Sequence, residues 1–189
     1  IFCGTGNNGG DGFTAAWYLK NYGLEPVLYI AGEKERVTPT SMFFLKICES
    51  LDIRIFYLNE NNIDDLSIRE SAFVIDSLTG TGFEEVLRGI PLKIVNLINR
   101  SSAMVLSVDI PSGLSSDGEA PAGEAVKADY TITMGLPKIS LVTYPGKIYC
   151  GKLIIADIGF PRSLTEDSSL KIDIIDSGFR DDINSAPEY

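Results

Sequence analysis

Apolar residues in this chain follow two patterns. Short unbroken runs rich in Ile, Val, Phe and Tyr alternate with longer stretches in which apolar positions return every three or four residues. The first pattern fits a strand buried on both faces, and the second an amphipathic helix. Strands are therefore expected at residues 1–3, 26–30, 53–56, 72–75, 104–108 and 130–134, with later ones at 152–155 and 172–175. Helices are expected over 13–20, with Phe13, Ala16 and Trp17 inward, over 39–51, with Phe44, Ile47, Cys48 and Leu51 in register, and from Pro91, with Leu92, Val95 and Ile98 on one side. Thr38-Pro39 reads as an N-cap followed by proline at the first helical position. Gly23 stands where the first helix needs a C-terminal cap. Residues 59–68 read as a polar, partly helical connection, and the pattern over 140–149 is ambiguous.

Short apolar strands alternating with amphipathic helices imply a parallel sheet covered on both faces. The expectation is a Rossmann-like three-layer α/β/α sandwich with a mostly parallel central sheet. Ligands of such sheets sit outside the carboxyl ends of the strands, at the point where the strand order reverses. Three unusual loops follow strands one, four and five, at residues 4–12, 76–83 and 109–113, so they should converge at one mouth.

The first of these loops, Gly4-Thr5-Gly6-Asn7-Asn8-Gly9-Gly10-Asp11-Gly12, holds five glycines in nine positions. Glycines let a backbone turn sharply and leave amides uncovered, and beside a helix N-terminus such amides receive an anion, most often a phosphate. Its formal G-x-G-x-x-G spacing is a weak signal by itself. Asn7, Asn8 and Asp11 are unusual fillings for a dinucleotide loop and costly if buried idle. A solvated turn is the plainer alternative. Gly80-Thr81-Gly82-Phe83 is a second glycine-rich junction, suited to a phosphate or a ribose, or a simple turn.

Asp11, Asp76 and Asp109 would meet where the loops converge. Like charges in a partly dry cleft repel, so either one carboxyl is protonated or a cation lies among them. Asn8 and Ser112 offer neutral oxygens that suit a weakly polarising cation, with hydrated Mg²⁺ the other option. Asp76 alone reads as a strand-end cap. Asp109, before the turn at Ile110-Pro111-Ser112-Gly113, is the candidate acid/base, or else bonds to the backbone of that turn. Lys138 either meets substrate phosphates or is a surface lysine, and Asp157 reads as structural.

Composition narrows the chemistry. At 189 residues and 44% hydrophobic content, the chain is expected to be one domain over 1–189 with a full-sized core. A net charge of −10 without a basic stripe speaks against nucleic acid, and no long apolar run predicts a membrane span. Three scattered cysteines read as reduced core thiols of an intracellular protein, cytoplasmic first, with mitochondrial as the alternative. There is no histidine, which removes Ser-His and Cys-His catalysis and leaves Asp, Glu, Lys, Tyr or Cys for proton transfer.

The glycine loop, Val74-Ile75-Asp76-Ser77-Leu78-Thr79-Gly80-Thr81-Gly82-Phe83 and Val108-Asp109-Ile110-Pro111-Ser112-Gly113-Leu114 together resemble, in order, the YjeF N-terminal domain family, the NAD(P)H-hydrate epimerases. The resemblance covers nearly the whole chain. It implies an isomerase that interconverts the R and S forms of NADH or NADPH hydrated at nicotinamide C6 (NADHX and NADPHX), and so supplies the S form to an ATP- or ADP-dependent dehydratase. It implies one K⁺ per subunit, held by Asn8, Asp76 and Ser112. Substrate would be held by Asn7, Asn8, Gly9, Gly10 and Asp11, by Gly80, Thr81, Gly82, Phe83, Glu84, Glu85 and Val86, and by Asp109, with Asp109 catalytic. Thr79 stands where the family usually has an apolar residue. Family members usually carry helices before the first strand, so that part is expected to be missing, and no dehydratase domain is expected to follow. A homodimer is implied by resemblance alone. The competing readings are an NAD(P)-dependent oxidoreductase, with Glu33 on the ribose, and a non-catalytic nucleotide- or protein-binding module of the same fold.

Overall fold

A computed structural model describes residues 1–68 and 71–165. Seven strands form one sheet: β1 (Phe2–Cys3), β2 (Val27–Ala31), β3 (Arg54–Leu58), β4 (Phe73–Ser77), β5 (Met104–Val108), β6 (Tyr130–Met134) and β7 (Lys152–Ala156). Their order is β3-β2-β1-β4-β5-β6-β7, and every pairing is parallel. The order reverses between β1 and β4, which fixes the switch point. The strand expected at 172–175 lies outside the described residues.

Alternation along the strands explains the layers. Phe2 points into one core with Val74, Ile94, Val95 and Ile98, whereas Cys3 points into the other with Phe13, Leu28, Ile30, Leu45 and Cys48. Helices α1 (Asn7–Asn21) and α2 (Pro39–Ser50) cover the Cys3 side, and α3 (Gly89–Asn99) covers the Phe2 side. A third cluster gathers Ile110, Leu114, Leu141 and Cys150 beside the short helix α4 (Ile139–Val142) and the 3-10 turn Gly146–Tyr149. Residues Ile1–Asp157 make one compact unit, and a second unit begins at Ile158, where the described residues carry a one-turn helix, α5 (Arg162–Thr165).

Helix α1 ends as its glycine requires. Gly23 adopts φ 82°, its N–H reaches the Lys20 carbonyl at 3.0 Å, and the Leu24 N–H reaches Leu19 at 3.0 Å. This is a left-handed cap with both bonds of the Schellman arrangement. Thr38 does precede α2, but its hydroxyl donates to Ser41 Oγ at 2.9 Å and does not cap the helix amides. Residues 59–68 are turns with no helix. Asn59 and Asn62 take over as local caps there, Asn59 Oδ1 accepting from the Asn61 N–H at 2.9 Å and Asn62 Oδ1 from the Asn59 N–H at 2.8 Å.

The largest departure from the sequence reading is the start of α1. The helix begins at Asn7, so Gly9, Gly10 and Gly12 are helical residues and none of them has positive φ. Close approach explains their presence. A Cβ on Gly9 would lie 1.9 Å from the Gly4 carbonyl oxygen, one on Gly10 2.5 Å from Ser41 Oγ, and one on Gly12 2.5 Å from Cys3 Sγ. These glycines let α1 press onto β1 and α2.

Candidate active site

The loops after β1, β4 and β5 meet above the switch point. They enclose a cavity of about 420 Å³ lined by Gly6, Asn7, Asn8 and Asp11 from the first, by Leu78, Thr79, Gly80, Thr81, Gly82 and Phe83 from the second, and by Asp109. The first amides of α1 have no acceptor within the helix and mark its positive end.

Asn8 links two of the loops. Its Nδ2 donates to the Thr79 carbonyl at 2.8 Å, and its main-chain carbonyl accepts the Ser77 hydroxyl at 2.5 Å. The amide oxygen Oδ1 is buried without a hydrogen-bond partner. Buried polar atoms are nearly always satisfied, so an orphan carbonyl oxygen marks a place for a donor or a cation.

Beneath this lies Asp76, fully buried within β4. Its Oδ2 accepts from Ser107 Oγ at 2.8 Å and the Ser112 N–H at 2.9 Å, and its Oδ1 from Ser112 Oγ at 2.5 Å and the Leu78 N–H at 3.4 Å. Burial pushes its carboxyl above the usual range, against the pull of the bonds from Ser112, Ser107 and Leu78. The Thr79 N–H reaches Ser112 Oγ at 3.0 Å, and the Gly113 N–H reaches Thr79 Oγ1 at 3.1 Å. The polar Thr79 thus stitches the second loop to the third.

Asp109 follows β5 with φ 69°, a left-handed backbone unusual for a residue with a side chain. Its Oδ1 is paired with the Lys138 ammonium and is also approached by Thr133 Oγ1 at 3.4 Å and the Met134 N–H at 3.5 Å. Lys138 in turn donates to Thr133 Oγ1 at 2.8 Å. Both partners are largely shielded, with side chains 17% exposed for Lys138 and 13% for Asp109. Lys138 is therefore an ion-pair partner, and its bond to Asp109 takes the place of the bonds to the Ser112 turn weighed from sequence.

Of the residues singled out from sequence, Asn7, Asn8, Asp11, Gly80, Thr81, Gly82, Phe83 and Asp109 line the cavity. Asp76 and Ser112 lie buried below it. Gly9 and Gly10 are buried inside α1, while Glu84 and Glu85 line a neighbouring hollow that shares Phe83, and Val86 is exposed on the surface. Glu33, the ribose partner of the oxidoreductase reading, is exposed and does not line the cavity. Sequence reasoning missed Ser107, whose only signal was a polar residue inside an apolar strand. No helix among the described residues is long and apolar enough to cross a membrane.

A parallel sheet of this order, with a cavity over the β1–β4 switch point and a helix N-terminus in its wall, defines a Rossmann-like α/β domain. The chain belongs to the family described as YjeF-related protein N-terminus, whose match runs over residues 1–140. It is 38% identical over 178 residues to the bifunctional NAD(P)H-hydrate repair enzyme Nnr of Thermofilum pendens, covering 93% of this chain and 34% of that protein. It is 37% identical over 161 residues to the NAD(P)H-hydrate epimerase of Oenococcus oeni, covering 84% of this chain and 73% of that one. The chain spans about a third of the length of the bifunctional relatives. The crystal structure of yeast ynu0 shares the fold, with a TM-score of 0.72 at 21% identity over 93% of this chain and 72% of that one.

Proposed function

We propose that this chain is an isomerase that interconverts the R and S forms of hydrated NADH and NADPH at C6 of the nicotinamide ring. The observation that carries this reading is the single cavity in which the helix N-terminus of α1, the Gly80–Phe83 loop and the carboxylate of Asp109 come together. Amides and small polar groups suit the phosphate and sugar portions, and Asp109 supplies proton transfer. The ring nitrogen's lone pair expels the C6 hydroxide, which takes up a proton and leaves as water. Water then adds to the iminium carbon from the opposite face and gives up a proton. A carboxylate can move a proton at the ring and also offset the transient positive charge, and such a group contributes roughly 10² to 10⁴ in rate.

Residues present fit an alkali ion. Asn8 Oδ1 is a neutral oxygen without a donor, and Asp76 is a buried carboxylate that burial disfavours as an anion. Asn8, Asp76 and Ser112 would hold one K⁺ per subunit. When bound, that ion supplies a fixed positive charge that keeps Asp76 ionised and ties the first and third loops together. The relatives named bifunctional repair enzymes support coupling to a second repair activity, an ATP- or ADP-dependent dehydratase that consumes the S form.

The test supplies pure R hydrate to the chain and follows the R-to-S ratio by chromatography, in K⁺ and in a larger inert cation. Conversion well above the buffer rate in K⁺, reduced in the larger cation, is expected. Asp109→Asn should slow conversion with little change in substrate binding, and full activity in that variant would remove Asp109 from the chemistry.

A further inference from the structure

Asp11 and Asp109 are the only two titratable side chains, among the described residues, that line the cavity. Their surroundings differ. Asp109 is anchored through Oδ1 by Lys138, Thr133 and the Met134 N–H. Asp11 has no hydrogen-bond or ion-pair partner among the described residues, although it sits half-buried in the first turns of α1. A carboxylate is a poor choice for gripping a phosphate or leaning on another acid, and no contact within the described residues accounts for Asp11.

Inversion at C6 demands that hydroxide leave one face of the ring and water arrive at the other. A carboxyl group clamped by an ammonium and a backbone amide cannot follow the oxygen round the ring. One anchored group therefore serves one face, and a second group is needed across the cavity.

We propose that Asp11 is a second catalytic residue, which moves protons at the face of the nicotinamide ring that Asp109 does not reach. This rests on the epimerase reading above and deepens it. In one direction Asp11 gives its proton to the departing C6 hydroxide as the C–O bond breaks and the nitrogen lone pair forms the C=N bond. Water then bonds to C6 from the far side, its proton passes to Asp109, and the C=N pair returns to nitrogen. The reverse reaction exchanges the two roles, and protons re-equilibrate with solvent between turnovers. The environments support the division. Burial, and after it the negative charge of Asp109, hold the Asp11 carboxyl above the ordinary carboxylate range, while the Lys138 ammonium stands against Asp109. A carboxyl that holds its proton more tightly, beside one paired with an ammonium, suits the acid role in such a couple.

The experiment uses the whole chain with each pure epimer in turn, in oxygen-18 water. It records both inversion and the label appearing in the recovered starting epimer. Asp11→Asn and Asp109→Asn are each expected to reduce inversion about 100-fold or more. With one epimer, one variant should still wash label into unreacted substrate while the other does not. With the opposite epimer, the two variants should exchange behaviour. The proposal is overturned if Asp11→Asn inverts at the parent rate, or if labelling and inversion fall together in proportion to a raised KM. A parent chain that inverts neither epimer above the buffer rate would overturn the epimerase reading itself, and this inference with it.

Discussion

A Cβ placed on Gly9 would sit 1.9 Å from the carbonyl oxygen of Gly4, with the Gly4 carbonyl carbon at 2.7 Å and its nitrogen at 3.1 Å. The obstacle is backbone of the adjoining turn, which has no rotamer to change. Gly9→Ala must therefore push the start of α1 away from β1, although alanine is the better helix former. We expect a loss of about 3 kcal/mol, the upper end of overpacking costs, by urea unfolding. Gly6→Ala, where an added Cβ meets nothing within 4 Å, should leave stability almost unchanged.

Lys138→Met removes the countercharge from a shielded Asp109. The loss of a charge-assisted bond at this site should lower stability by about 1.5–3 kcal/mol. In the epimerase assay kcat should fall roughly tenfold or more with KM nearly constant, since Asp109 loses its anchor while the cavity wall is kept. Lys138→Arg should recover part of kcat. A rise in KM with kcat intact would instead mark Lys138 as a substrate-phosphate ligand.

Asp11 gives a pH dependence whose sign is fixed. Its carboxyl binds a proton more tightly in the fold than in the unfolded chain. Between the unfolded value, about 3.9, and the raised folded value, the native state holds more protons, so stability falls as pH rises through that window. Above the window the penalty is constant. Asp11→Asn should therefore melt higher than the parent at pH 7, and the difference should vanish as pH drops below about 4. A parent that melts higher than Asp11→Asn at neutral pH would contradict the burial argument.

All three cysteines are free and buried. Burial pushes the Cys48 thiol up to about 11 and raises Cys3 and Cys150 as well. Thiolate is the reactive form, so the native protein should resist a thiol reagent at pH 8, and all three groups should react at once in denaturant.

Strands β5 and β6 were legible because Met104–Val108 and Tyr130–Met134 are continuous β-forming runs with no helical phase to compete. The convergence of the three loops was legible for a different reason, since a parallel sheet leaves one edge for them. The start of α1 was not. Asn and Gly are poor helix formers, and only the packing against Gly4, Ser41 and Cys3 makes Asn7–Gly12 helical. Nor did the sequence disclose that Lys138 pairs with Asp109, because the partners are 29 positions apart and lysine after a loop usually reaches water. Ser107 under Asp76 belongs with these. A hydroxyl at a buried strand position has meaning only once the neighbouring strand is known.

The shortest strand carries a mechanical consequence. β1 gives two residues to a sheet whose other strands give five, and it joins β2 to β4 through Phe2 and Cys3, with Ile1 bonded to Val27 and Tyr29 at one end and the Gly4 N–H to the Ser77 carbonyl at the other. Asn7, Asn8 and Asp11 hang from one side of that narrow seam, and the Gly80–Phe83 loop and Asp109 from the other. Any molecule filling the cavity is a clasp across this narrow join, so occupancy and the integrity of the seam are a single linked equilibrium.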